Sequence, residues 1–388
     1  MRTFCQVAIV VSVSLLWSCA RINDNDYDGG FTHLTSPVYG VVQAEVETLY
    51  RPGNGVLPQR LFISRNTLVM FNDNGTSFYD IYTLPHLHYV NSLGRRDRQE
   101  GLHITPYAGS IKPTEDGLAI FDNGTLKYIN LKFGELEVDK ELYVKGMTRN
   151  FFGFTMLDDS LYVVMPDPEL FKAGVGASNS KGELTIVNNS DGSMVQVGEY
   201  PEVMRQNQIE IGGKCFAVNE KLRRFACFYS LQKQFKIIDF EGNELHRVAV
   251  DMPPYLNYES MSFSNKWGGH VYYTDCCAHG DYIYALCLNQ ARDSYMADMS
   301  DENSEIHIFD WSGQLLKVVK CNRPVSCFAV SEEYGTIYAS SSAAPDNILR
   351  LPLPDITATS DSLYNADTYM DLRQDSIRRK KESLKEAL

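Results

Sequence analysis

Ile306-His307-Ile308-Phe309-Asp310-Trp311-Ser312-Gly313-Gln314-Leu315-Leu316 decides the fold: an apolar run, an Asp, two residues, a Gly, a polar residue, then a second apolar run. β-Branched and aromatic residues on both sides read as two strands, and the Gly supplies the positive φ that a tight turn needs. The same form stands at Ile237-Ile238-Asp239-Phe240-Glu241-Gly242-Asn243-Glu244-Leu245. With Asn in place of the first Asp, it stands at Ile186-Val187-Asn188-Asn189-Ser190-Asp191-Gly192 before Met194-Val195. The copies fall roughly 50 to 70 residues apart, a spacing that suggests propeller blades with variable loops.

Each copy is preceded by another strand pair, such as Tyr282-Ile283-Tyr284-Ala285-Leu286 before the Ile306 strand. Four strands per repeat make a propeller blade. Upstream, Leu118 to Phe121 and Leu126 to Leu131 flank Asp122-Asn123-Gly124, and Asn-Gly between such runs is a strong hairpin signal. Phe71-Asn72-Asp73-Asn74-Gly75 is a similar device. The expected fold is all-β, a six-bladed β-propeller over residues 38–354. Its blades fall at about 57–94, 103–145, 150–200, 210–251, 269–320 and 324–354. The last blade has only two or three strands. Val38 to Tyr50, with Val41, Val42, Val46 and Leu49, offers a spare strand that would close it. Closure matters because an open toroid leaves strand edges free to aggregate. The alternatives are a seventh blade, or a β-sandwich of two stacked sheets.

The ends read differently. Met1-Arg2 followed by the apolar run Val7 to Trp17 fits a secretory signal peptide over residues 1–18 and is too short to span a bilayer. Leu16-Trp17-Ser18-Cys19 resembles the lipobox of bacterial lipoproteins, which implies diacylglyceryl attachment to Cys19 and a lipid anchor at the cell envelope; a plain signal peptide is the other reading. Residues 19–37 include a polar Asn- and Asp-rich tether, and residues 355–388 form a polar tail. The net charge of −13 and the lack of a basic stripe argue against nucleic-acid partners. Beyond Cys5 and Cys19, seven cysteines remain, all in the second half. An exported compartment permits disulfides, with Cys215–Cys227 and Cys321–Cys327 the pairs that would flank hairpins; buried free thiols explain the same residues.

The block from Ile306 to Gly313, with Val325, Phe328-Ala329-Val330 and Ile337-Tyr338-Ala339, resembles the TolB-like six-bladed propeller lipoproteins of Bacteroidetes, as does Tyr282 to Leu286. Leu93-Gly94-Arg95-Arg96-Asp97-Arg98-Gln99-Glu100 keeps the first Gly, the Arg pair and the Glu of a family motif but lacks its Gly-Pro. The resemblance implies the propeller fold and carries over no catalytic residue.

Candidate binding residues are few. Arg95, Arg96 and Arg98 cluster at a crossing between blades, where their fork geometry suits anionic groups; salt bridges to Glu100 or other rim acids are the plainer reading of the same residues. Trp267 and His270 stand among tyrosines, a composition that suits either stacking on sugars and peptides or packing between blades. Cys276, Cys277 and His279 are weak metal-ligand candidates at an expected hairpin, with no second Cys/His pair at zinc-site spacing. No nucleotide or nucleophile-elbow motif appears and no cofactor is implied. The leading expectation is a non-catalytic, lipid-anchored module binding a protein, peptide or glycan. The rival is a hydrolase or lyase with scattered acids on the channel rim.

Overall fold

A computed structural model describes residues 30–50, 58–72, 76–95, 111–122, 125–131, 137–143, 151–166, 182–199, 214–250, 270–291 and 304–359. These residues form six antiparallel sheets, each led by its innermost strand. Blade 1 is β4 (Arg60–Ser64), β5 (Thr67–Phe71), β6 (Ser77–Thr83) and β7 (His88–Arg95). Blade 2 is β8 (Ile111–Pro113), β9 (Gly117–Asp122), β10 (Thr125–Asn130) and β11 (Glu137–Tyr143). Blade 3 is β12 (Phe151–Met156), β13 (Leu161–Pro166), β14 (Gly182–Asn188) and β15 (Met194–Glu199). Blade 4 is β16 (Lys214–Asn219), β17 (Arg224–Tyr229), β18 (Gln234–Asp239) and β19 (Glu244–Val250). Blade 5 is β20 (His270–His279), β21 (Tyr282–Ala291), β22 (Glu305–Asp310) and β23 (Leu315–Cys321). Blade 6 is β24 (Cys327–Ser331), β25 (Thr336–Ser340), β26 (Asn347–Pro352) and the N-terminal β3 (Glu47–Tyr50). The six leading strands neighbour one another in sequence around the axis, and β24 meets β4 to close the ring.

The core is divided into one apolar cluster per seam between blades. Phe62, Val69 and Ile120 fill the 1/2 seam, and Tyr162 packs with Leu126 in the 2/3 seam. Leu184 meets Phe225 in the 3/4 seam. Phe228, Phe235, Phe309 and Tyr273 stack in the 4/5 seam, with ring centroids of Phe228 and Phe235 4.5 Å apart. Tyr284 and Ile337 share the 5/6 seam, and Leu68 and Tyr82 meet Tyr338 in the 6/1 seam. Both faces of each sheet are therefore buried, which explains near-continuous apolar runs such as Leu68 to Phe71 instead of strict alternation.

The repeated Asp-x-x-Gly turn joins the third and fourth strands of its blade. In blade 5, Gly313 N–H donates to Asp310 O at 3.1 Å, and the Asp310 carboxylate accepts from the N–H groups of Ser312 and Gln314 at 2.9 Å. Gly313 has φ +85°, and a Cβ there would lie 2.8 Å from Val248 Cγ2 of blade 4. Gly242 does the same against Val197 of blade 3. The glycine thus serves the turn, and in blades 4 and 5 it also lets the blade close on its predecessor. Asn123 and Gly124 lie outside the described residues; on either side of them Asp122 opposes Thr125.

Two expectations change at the chain ends. Only Glu47–Tyr50 of the spare segment closes blade 6, pairing antiparallel with β26. Val41 and Val42 belong to β2 (Val41–Ala44), which adds a parallel fifth strand to β23 of blade 5. Ahead of Val38, β1 (Thr32–Leu34) adds a parallel strand to β19 of blade 4. The N-terminal segment is therefore a belt over the rims of blades 4, 5 and 6, and the propeller begins before Val38. It also continues past Pro354. Ile356 is buried, and Lys317 Nζ donates to the carbonyl oxygens of Asp355 and Ala358.

Candidate functional site

The two ends of the toroid are built differently. One end, the turn face, carries the hairpins between first and second strands, and neighbouring hairpins are tied together. Ser64 Oγ donates to Thr114 O at 3.0 Å, and Arg65 pairs with Asp116 at 2.6 Å across blades 1 and 2. Tyr128 OH donates to Asp159 at 2.9 Å across blades 2 and 3. Arg223 pairs with Asp158 at 3.7 Å across blades 3 and 4, and Asn219 Nδ2 donates to Gly280 O at 3.3 Å across blades 4 and 5. His279 meets Glu332 at 3.1 Å across blades 5 and 6, and Lys112 of blade 2 reaches Glu220 of blade 4.

The other end, the crossing face, holds the strand ends to which residues 96–110, 144–150, 167–181, 200–213, 251–269 and 292–303 attach. On the axis behind it lies a cluster built from three blades. Arg60 opens β4, with its guanidinium 5.4 Å from the centroid of the Phe62 ring. It pairs with Asp275 of β20 at 3.5 Å and donates to Cys276 O at 3.5 Å. Asp275 also accepts from the backbone N–H of Phe328 in β24 at 3.1 Å. One carboxylate thus joins blades 5, 6 and 1 at the point where the ring closes. Burial raises the Asp275 carboxyl above its ordinary range, and Arg60 and the Phe328 N–H only partly offset that. Burial works against the Arg60 charge, but Asp275 and the nearby thiols hold it above its ordinary value.

Two further buried polar clusters lie farther out, each reaching from a third strand to an inner one. Between blades 3 and 4, Glu183 meets Lys236 at 2.8 Å and Lys214 at 3.4 Å. Burial opposes the Glu183 charge, yet the two ammonium groups hold its carboxyl below the usual value. In blade 5, Tyr273 OH lies 3.0 Å from His307 Nδ1, and His307 Nε2 lies 3.1 Å from Glu305. Burial depresses the His307 imidazolium, while burial of Glu305 is outweighed by His307 and nearby lysines, which bring its carboxyl to about 2. Apart from the partly exposed Glu305, these side chains are enclosed between the blades, so their chemistry is that of polar pegs.

The residues singled out from sequence do not converge. His270 opens β20 at the crossing face, exposed and stacked near Tyr272 at 6.2 Å. Arg95 ends β7, the outermost strand of blade 1, at the perimeter of the same face. Arg96, Arg98, Trp267 and Cys19 lie outside the described residues. Cys276, Cys277 and His279 lie within β20, and only Gly280 and Asp281 turn the chain. Neighbours in a strand point to opposite faces, so Cys276 enters the 4/5 seam and Cys277 the 5/6 seam; they do not share an ion. His279 faces Glu332 instead. The expected disulfides fail for the same reason. Cys215 opposes Phe228 while Cys227 opposes Phe216, which sends the two thiols into different seams. Cys321 lies in the 5/6 seam and Cys327 in the 6/1 seam.

Sequence reading placed Asp275 in a candidate ligand cluster with Cys276, Cys277 and His279, and missed Arg60 and the ion pair between them. A signal was there: each is a lone charge in an apolar strand run, Arg60-Leu61-Phe62-Ile63 and Tyr272-Tyr273-Thr274-Asp275-Cys276. Buried charges of this kind require partners.

A family model described as TolB-like 6-blade propeller-like matches residues 56–333. None of the curated proteins matches the chain. Among solved structures, a member of the DUF4221 family from Bacteroides vulgatus aligns at 10% identity over 79% of this chain and 98% of its own, with a TM-score of 0.47. The Cps50 (Swd1) propeller domain of Myceliophteria thermophila aligns at 10% identity over 80% and 100% of the two chains, TM-score 0.40. The Pan2 WD40 domain of Neurospora crassa aligns at 10% identity over 77% and 90%, TM-score 0.39.

Proposed function

Because this chain belongs to the TolB-like six-bladed propeller family, we propose that it acts as a non-catalytic binding module, held at the cell envelope by a lipid on Cys19, whose crossing face takes a protein, peptide or glycan. The observation that supports this reading is the unequal build of the two ends. Short turns tie the turn face hairpin to hairpin. The long connections all attach at the opposite end, where His270 opens the leading strand of blade 5 and is exposed. Long connections on a rigid scaffold are where propellers and other repeat folds place their contacts. The buried polar clusters hold the strands that carry these connections, so the scaffold is stiff where a partner would press.

The test uses the full chain on a glycan array and a short-peptide library. His270→Ala combined with a Gly-Ser replacement of residues 292–303 is expected to weaken any captured ligand at least tenfold. Arg65→Glu, on the turn face, is expected to leave it unchanged. Loss on the turn-face change alone, or turnover of the captured ligand, overturns the reading. Labelling with an alkyne-tagged fatty acid, present in the parent and absent in Cys19→Ala, tests the anchor.

A further inference from the structure

Cys215 and Cys276 meet where the inner strands of blades 4 and 5 run side by side. Cα atoms of β16 and β20 approach within 8 Å, and a disulfide spans Cα atoms commonly ~5.5–6 Å apart. Both side chains belong to the 4/5 seam, and the Cys215 thiol is, after burial, the neighbour that most raises the Cys276 thiol. No other pair of the seven described cysteines shares this arrangement among the described contacts: Cys227, Cys277, Cys321 and Cys327 face other seams, and Cys287 sits one strand out, on β21. The pair is asymmetric. Cys215 is partly exposed near the start of β16, whereas Cys276 is buried. Arg60 lies beside them, donating to the Cys276 carbonyl.

We propose that Cys215 and Cys276 are a dithiol that oxidises to a disulfide, stapling the inner strands of blades 4 and 5. The oxidant is a small disulfide, RSSR. Cys215 gives its proton to solvent, and its thiolate attacks one sulfur of RSSR, forming a mixed disulfide and releasing RS⁻. Cys276 then gives up its proton, attacks the Cys215 sulfur and expels the second RS⁻. The protein loses two protons and two electrons, and RSSR is reduced to two thiols. Burial pushes the Cys276 thiol well up, Cys215 and Asp275 add to that and Arg60 offsets only a small part, so Cys276 reacts second, on the mixed disulfide already formed beside it. Accessible Cys215 is thus the entry thiol and buried Cys276 the resolving one. The bridge would close a loop of about 60 residues and raise the melting temperature by about 5 °C.

The experiment treats the purified full chain with oxidised glutathione and maps its peptides without reduction. The Cys215 peptide is expected to be linked to the peptide carrying Cys276. The link should persist in Cys277→Ser and vanish in Cys276→Ser and Cys215→Ser, and the rise in melting temperature should vanish with it. Serine is close in size to cysteine, and circular dichroism of each variant verifies folding. A count of titratable thiols unchanged by the treatment, a link from Cys215 to any other cysteine, or a glutathione adduct that stays on Cys215 would each overturn the proposal.

Discussion

Blades 4, 5 and 6 carry an N-terminal strand on their outer edge; among the described residues, blades 1, 2 and 3 end in bare outer strands. In the belted half the edge is satisfied from outside: Val38 and Tyr39 N–H groups donate to Leu315 and Leu316 carbonyls at 3.0 and 2.8 Å, and Val41 and Ala44 are buried. In the bare half, Tyr89 and Val90 of β7 and Met194 and Val195 of β15 are exposed, Met194 by 58%. The bare edges are blunted by other means. β11 runs Glu-Val-Asp-Lys-Glu from Glu137, β15 contains Gly198 at φ +72°, and the pairing of β6 with β7 shifts register at Ile81/Tyr82. Charges, glycines and irregular pairing keep an edge from templating another chain. The difference teaches that the belt is more than edge protection, which the bare blades manage without it. It fixes the end of the chain across three consecutive blades and supplies the fourth strand of the last one.

Deleting residues 30–50 should break the comparison most severely. Blade 6 would lose β3, β23 and β19 would lose their outer partners, and the truncated chain should show no cooperative thermal transition by circular dichroism. A truncated chain that melts like the intact one would mean that the belt is decoration.

The turn glycines give a finer contrast. Gly313 in blade 5 and Gly192 in blade 3 both have positive φ, +85° and +78°. A Cβ on Gly313 would meet Val248 Cγ2 at 2.8 Å, whereas one on Gly192 would meet nothing within 4 Å. Gly192→Ala should cost only the backbone term, about 1 kcal/mol, and Gly313→Ala about 3 kcal/mol once the clash with a stiff valine is added. Urea denaturation of the two variants checks the order; equal losses would mean that Gly313 does not seat blade 5 against blade 4.

Acid should act on the belted half through blade 5. Burial holds the folded pKa of His307 below the ordinary 6.5, so the unfolded chain binds more protons as pH falls past that value, and stability drops with it. Glu305, with a folded pKa of about 2 against 4.5, adds a further loss as pH falls from about 4.5 toward 2. The melting temperature should therefore decline below pH 6.5, and His307→Asn should flatten the first part of that decline. An unchanged slope would remove His307 from the account. The smallest effect is at the surface: Arg350 and Glu47 pair at 2.8 Å across β26 and β3, and Arg350→Ala should cost about 0.5 kcal/mol, shrinking further in high salt.

Local chemistry made much of this legible in advance. Asp310 to Gly313 and Asp239 to Gly242 state their turns within a few residues, and their recurrence implies blades. The belt was only half legible. Val41 and Leu49 announce strands, but a parallel addition to β23 depends on a partner far along the chain, and Thr32-His33-Leu34 is too short to stand out. The axial cluster was hidden for the same reason: Arg60 and Asp275 meet only because the ring brings blade 1 back to blade 5. The hairpin logic that paired Cys215 with Cys227 was misled by strand alternation, which needs the register to resolve.

Amide hydrogen exchange along residues 30–50 tests the belted closure most directly. The hydrogen-bonded amides of Val41–Ala44 and Glu47–Tyr50 should exchange as slowly as those of their partner strands β23 and β26, and more slowly than the outward amides of β7 and β15. Exchange of residues 41–50 at the rate of an unstructured peptide, with β23 and β26 still protected, would contradict it.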